Sequence, residues 1–271
     1  RELERKLNRE HRSLEERERR GLVVTLSMAF VTVLVGWIIS LIGAHGGFWL
    51  EITLAACLLP LRGIWDRLGE IKQALQAKNL PAARLALEDT PWRHHALLDE
   101  YGVARAGVEW MAVSFVEKLL SPIMWYVCFG FPGLLLARLS GFMWEALPHL
   151  AQHDHGFGKA VQRFSRWVDY IPSRLAAILW FLASVFVSSE QWQQRAKLIG
   201  EHMITDSAQV LSVRVAASTL KLTLGGPASI YAPGVWIGSG IMKPGASNIS
   251  KARLIFALLC LFLFILLGLF M

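Results

Sequence analysis

Uncharged apolar blocks alternate with charged amphipathic ones along this chain, and that alternation sets its architecture. Leu22 to Ile42 carries no charge over a length that spans a bilayer. Gly43 to Gly47 breaks it. Phe48 to Leu61 is shorter and holds Glu51 near its start, so it reads as a returning segment with Glu51 at the outer surface, or as a re-entrant or core helix. Ile64, Leu68, Ile71 and Leu75 recur at helical spacing and predict an amphipathic helix over 63–78. Asn79-Leu-Pro81 opens a short helix with its proline in the first turn. A polar link follows from Asp89-Thr90-Pro91 through His94 and His95. The next helix, 103–119, carries Glu109 and Glu117. Pro122 starts an apolar run to Ala137 that Gly130, Pro132 and Gly133 interrupt. At membrane depth such breakers are tolerated where the backbone is buried in protein or lines a cavity. Residues 138–166 form a polar excursion, and Ile178–Val187 belongs to a span starting near Trp167. Residues 188–253 are amphiphilic and end in a loop over 224–245. Leu254 to Met271 is apolar throughout and spans as the last segment.

These elements predict an all-α, polytopic helical membrane protein with about five membrane segments and amphipathic helices between them. One domain, 1–271, covers the chain. Its parts are a charged lead-in helix (1–21), a membrane hairpin (22–61), an amphipathic helical layer (62–118), membrane helices with a polar loop (119–187), an amphiphilic helix and loop (188–253) and the terminal membrane helix (254–271).

Composition agrees. The chain is 54% hydrophobic and 18% charged, against about 45–50% and about 25% for soluble domains. Its eleven tryptophans suit interfacial belts. The net charge of +7 comes largely from the lead-in and the segments between apolar blocks, and a membrane-proximal basic segment accounts for it. The lead-in holds eight Lys or Arg and six Glu, which favours a cytoplasmic side. No interleaved basic and aromatic platform points to nucleic acid. Cys57, Cys128 and Cys260 lie far apart in apolar runs and read as small buried hydrophobes. The chain opens on Arg1 rather than Met, so a natural start upstream is expected.

Three constellations carry possible chemistry. His149, His153, Asp154 and His155 include a histidine pair at metal-ligand spacing, yet Gly156 and Gly158 make the stretch loop-like, and no metal site is assigned to it. The carboxylates Glu109, Glu117, Glu145 and Asp169 either hold a cation with phosphates or pair with Arg105, Lys118, Arg138 and Arg174, and pairing is the favoured fate. Within 157–177, where water gives way to an apolar helix, Arg174 is expected to reach a carboxylate, Asp169 first, with Pro172 distorting the turn between them, or else Glu109 or Glu145 from another segment. Leu224-Gly225-Gly226-Pro227 turns backbone N–H groups in a way that suits an anion, but lacks the ending of a P-loop and reads as a plain turn.

A set of short motifs runs in order from the polar link to the last loop. They are Glu88-Asp89-Thr90, Arg105-Ala-Gly-Val-Glu109, Ser121-Pro122-Ile123, Phe157-Gly158, Asp169-Tyr-Ile-Pro-Ser-Arg-Leu-Ala-Ala177, Leu224-Gly-Gly-Pro227 and Lys243-Pro244. In that order and spacing the chain resembles the cobinamide-phosphate synthases of cobalamin biosynthesis, the CbiB/CobD membrane family. The resemblance implies a multi-pass protein of the bacterial inner membrane. It implies joining of a carboxylate of adenosylcobyric acid to aminopropanol or its phosphate, with ATP and Mg²⁺, so that a corrinoid is the expected partner besides the lipid bilayer. It also implies substrate- or phosphate-binding roles for Asp89, Thr90, Arg105, Glu109, Asp169, Arg174, Gly225, Gly226 and Lys243. No catalytic residue is assigned.

The chain departs from the family pattern at polar positions. Val113-Ser114 stand where the family has Glu-Asn. Ser140 to Glu145 replace an Asn-Thr-x-Asp-Ser-Met segment, and Arg163 to Arg166 replace Arg-Leu-Asp-Asp. What is kept is largely turn and packing residues, whereas what is lost is largely polar and of the kind that catalysis uses. Reduced or absent ligase activity is the expectation, and a non-catalytic membrane scaffold or signalling protein like the AmpE-type modulators is the alternative.

Overall fold

The structure, a computed structural model, describes residues 14–43, 48–88, 90–92, 95–150, 157–187 and 192–270. In chain order its elements are α1 (Leu14–Ile42), α2 (Phe48–Leu58), α3 (Leu61–Gln76), α4 (Leu80–Leu85), α5 (Glu100–Ser114), α6 (Ser121–Leu150), α7 (Phe157–Val168), α8 (Tyr170–Val187), α9 (Trp192–His202), α10 (Ala208–Leu220), β1 (Leu224–Gly225), β2 (Trp236–Ile237) and α11 (Ala246–Phe270). A short 3₁₀ turn, His95–Leu97, precedes α5, and a π turn, Phe115–Leu120, joins α5 to α6. The chain is helical, as its sequence pattern predicts. It divides into two compact units, residues 1–59 with 117–169 and residues 60–116 with 170–271.

In the first unit α1 packs along α6 and α7, and α2 touches α1 and α6. α6 is not straight. Lys118 and Glu145 would stand about 40 Å apart along an unbroken helix, yet Lys118 Nζ lies 2.5 Å from Glu145 Oε1. The reversal falls at Gly130, whose φ of 67° is open to glycine and costly for other residues. The two arms then close tightly, since a Cβ on Gly133 would lie 2.3 Å from the Trp125 carbonyl oxygen. α1 meets the tip of this hairpin through Gly36, where a Cβ would come within 2.6 Å of Pro132 Cα. Small residues at such crossings let helix backbones approach in a membrane. Pro122 does not break the helix, because the π turn before it already disturbs the regular hydrogen-bond ladder where proline has no N–H to give.

In the second unit Ile64, Leu68 and Ile71 are buried as the α3 periodicity predicts. Asn79 caps α4 by accepting from the Ala82 N–H at 3.1 Å, and Asp99 caps α5 by accepting from Gly102 at 2.6 Å. α11 packs on α3, α5 and α8, while α10 packs on α5 and α8. β1 and β2 pair antiparallel, Leu224 with Ile237 and Gly225 with Trp236. The first part of the stretch expected as loop over 224–245 is therefore closed by this pairing.

Among the described residues three helical stretches are long and apolar enough to cross a membrane, namely Glu15–Ile42, Glu100–Met143 and Ala246–Leu269. Gly158–Val168 with Tyr170–Phe186 makes a fourth if counted as one broken span. The sequence pattern suggests about five. The difference lies first in α2, whose eleven residues reach about 16 Å, well short of a hydrocarbon core of about 30 Å. It lies also in the span expected to start near Trp167, which is broken between Val168 and Tyr170.

Candidate functional site

Six of the nine expected site residues gather around the 224–245 loop in the second unit. Glu109, on α5, is 1% exposed. A buried carboxylate is expensive unless its oxygens are hydrogen-bonded, and here both are. Oε1 accepts from the Gly225 N–H at 2.8 Å and Oε2 from the Ser229 hydroxyl at 2.5 Å. Ser229 Oγ in turn accepts from the Ala232 N–H at 3.1 Å. Glu109 thus holds β1 and the turn after it against α5.

The glycine pair is required by shape. Gly225 and Gly226 have φ of 84° and 89°, values that L side chains rarely adopt. A Cβ on Gly226 would meet the Trp236 ring at 2.6 Å, and one on Gly225 would meet the Val235 carbonyl oxygen at 2.2 Å. The indole of Trp236 lies against the glycine backbone and remains 47% exposed.

Two cations border the loop. Arg105 stands one helical turn before Glu109 but does not pair with it. Its Nη1 donates to the Met242 carbonyl at 2.7 Å, Nη2 lies 3.9 Å from Asp99 Oδ1, and the guanidinium stands 5.5 Å from the Trp236 ring centre. Lys243 is exposed, with its ammonium 5.7 Å from the Tyr101 ring centre. Thr90 acts through a neighbour. Its hydroxyl donates to the Leu87 carbonyl and accepts from the Trp92 N–H, and Trp92 Nε1 donates to the Ala228 carbonyl at 3.1 Å. Trp92 also meets Tyr231 edge-on at 5.2 Å. Trp92, Arg105, Glu109, Gly225 and Ser229 help line a cavity of about 10 Å³, enough for one water.

Of the other three expected residues, Asp169 belongs to the first unit and Arg174 holds other partners in the second. Asp89 falls outside the described residues, as do His153, Asp154, His155 and the His149 side chain. Among the described residues Arg174 takes no carboxylate, and the expected Asp169 partnership is corrected. Its Nε donates to the Met203 carbonyl and its Nη2 to the Asp206 carbonyl, both at 2.8 Å, and its guanidinium lies 3.7 Å from the Tyr170 ring centre. The reason is local. α8 starts at Tyr170, so Arg174 sits one turn above that ring and points at the α9–α10 link, where Arg214 already holds the Asp206 carboxylate at 2.6 Å. Arg174 is a clamp on backbone carbonyls.

Asp169, in the first unit, ends α7. Its Oδ2 accepts from Ser165 Oγ at 3.3 Å. Ser121 stands beside the carboxyl, but at a geometry that leaves both Oδ1 and the Ser121 hydroxyl without a formed hydrogen bond among the described residues. Of the expected carboxylate pairs, Lys118–Glu145 forms.

Ser229, Trp92 and Trp236 complete the loop site and were not singled out from the sequence. The signal for Ser229 was faint, a hydroxyl just past the glycine turn. Trp92 and Trp236 read as two of many interfacial tryptophans.

The family model described as CobD/Cbib protein matches residues 1–267. A "Cobalamin biosynthesis protein CobD" of Stutzerimonas stutzeri is 31% identical over 201 residues, covering 73% of this chain and 63% of that protein. The protein of that name in Brucella suis is 28% identical over 169 residues, covering 61% and 52%. In Rhodobacter capsulatus the values are 29% over 170 residues, with 62% and 54% covered. The chain spans little more than half the length of most curated relatives it matches. No solved structure matches it significantly. The chain belongs to the CobD/CbiB family of cobalamin-biosynthesis proteins.

Proposed function

We propose that this member of the CobD/CbiB family binds an anionic or corrinoid ligand at the 224–245 loop and has weak or no ligase activity by itself. The observation that carries this reading is the state of Glu109. It is a buried acid facing the loop, and both of its oxygens are taken by Gly225 and Ser229. Mg²⁺ held with phosphates needs carboxylate oxygens that converge on open space, and the cavity beside Glu109 admits about one water. No group of three His, Cys, Asp or Glu among the described residues is placed to hold a metal ion. These residues therefore do not fit an ATP-bound Mg²⁺, and no step is drawn through it.

Binding is supported by what stays open. Lys243 and the Trp236 ring are exposed, and Arg105 keeps N–H groups beyond the one given to Met242. An exposed indole with flanking cations suits a flat, partly anionic ligand. The sequence departures support weak or absent activity, since Arg166 stands where the family has an acid.

The test uses the full-length protein purified in detergent. Adenosylcobyric acid should bind, and Trp236→Ala should weaken binding. With aminopropanol phosphate, ATP and Mg²⁺ added, little or no amide should form. Amide formation at the rate of an ordinary family member overturns the reading. Absence of any corrinoid binding favours the non-catalytic, AmpE-like scaffold instead.

A further inference from the structure

α7 presents two unlike faces. Ala160, Val161, Ser165 and Val168 are buried. Lys159, Arg163 and Arg166 are exposed at i, i+4 and i+7, a spacing that stacks them on one side. Trp167, 80% exposed, sits one turn beyond Arg163. α7 contains no acidic residue.

The depth of this face is fixed by a contact. Arg163 Nη1 lies 2.5 Å from Glu18 Oε1, and Glu18 belongs to the charged start of α1, just before the uncharged run from Leu22 to Ile42. The stripe therefore lies level with the end of an apolar span, where acyl chains give way to headgroups. At that level an exposed indole is an interfacial anchor, and Lys or Arg reach lipid phosphates. Glu18 balances one of the three cations. Arg166 uses a single N–H on the Gln162 carbonyl, at 3.3 Å. A merely solvated basic face would account for the cations but would leave the largest apolar side chain in the patch in water.

We propose that the Lys159–Arg163–Arg166 face of α7 docks the headgroups of anionic glycerophospholipids, with Trp167 in the headgroup layer. The chemistry recognised is a phosphodiester with net negative charge. Zwitterionic headgroups offer the same phosphate beside a cation that the stripe repels.

The experiment places the full-length protein in bilayers containing brominated phosphatidylglycerol or brominated phosphatidylcholine at equal mole fraction. Tryptophan quenching is read, and the Trp167 part is isolated by difference from Trp167→Phe. The anionic lipid should quench that part at least about threefold more effectively, given how strongly each surface cation attracts anionic lipid. High salt should shrink the ratio. Lys159→Gln with Arg166→Gln keeps the Arg163–Glu18 contact and should bring the ratio close to one. Equal quenching by the two lipids in the unaltered protein overturns the proposal, and so does a preference that the double variant retains. Loss of the preference on adding millimolar inorganic phosphate at constant ionic strength also overturns it, because the site would then take free anions rather than lipid.

Discussion

Two buried carboxylates, one in each unit, are handled in opposite ways. Glu109 gives each oxygen a donor from a distant part of the chain, Gly225 and Ser229. Asp169 is equally buried, but among the described residues its one formed side-chain bond is to Ser165, a turn away on the same helix. The first carboxylate ties together segments that sequence separates widely. The second closes a helix end and organises little beyond it. Burial alone thus does not mark a residue as a binding group. What distinguishes the two is where their partners come from.

If this contrast is right, Glu109→Ala has the largest effect of any single change considered. It leaves the Gly225 N–H and the Ser229 hydroxyl without their acceptor, which should cost about 3 kcal/mol. Chemical unfolding in detergent measures it, and increased proteolysis within 224–245 locates it. Gly226→Ala should follow at about 2 kcal/mol, because it combines an unfavourable positive φ with displacement of the Trp236 ring. Gly234→Ala is the control. Its φ of 74° is as unusual, but nothing lies within 4 Å of its Cβ, so its cost should stay near 1 kcal/mol. Equal costs at the two glycines would mean that the indole does not rest on Gly226.

Arg174→Lys comes next. A lysine ammonium does not reproduce a planar fork that reaches the Met203 and Asp206 carbonyls while stacking on Tyr170, so about 1–2 kcal/mol should be lost. Ligand binding by the folded fraction should be unchanged, because Arg174 clamps the α9–α10 link and stands apart from the loop. A binding defect without a stability defect would return it to the site. The smallest effect is expected from Asp169→Asn, under about 1 kcal/mol, since the amide can keep the Ser165 contact.

Much of this was legible beforehand, for physical reasons that differ by element. The buried α3 stripe and the Asn79 cap are local, so spacing and residue type reveal them. The apolar runs of α1 and α11 declare themselves by length, although both helices start earlier than their uncharged parts because charged residues extend them into water. The reversal at Gly130 was half legible. Gly130, Pro132 and Gly133 mark a break, but a salt bridge between Lys118 and Glu145 is needed to show that the chain turns back there. At the site, Arg105, Glu109 and the glycine pair stand out in sequence. That Glu109 faces Ser229 rather than Arg105 was not legible. Neighbours on one helix suggested an ion pair, while packing of β1 against α5 supplied nearer donors. Arg174 was misread for the same reason, since spacing along a helix favours a near carboxylate and says nothing of carbonyls from the α9–α10 link.

The functional reading rests on Glu109 being spent on the loop. A double-mutant cycle on Glu109→Gln and Ser229→Ala, read by chemical unfolding of the full-length protein in detergent, measures that commitment directly. The account predicts a coupling of about 1–2 kcal/mol, as for residues joined by one buried hydrogen bond. Additive effects of the two substitutions would contradict it, and would leave the Glu109 carboxylate free to hold a ligand.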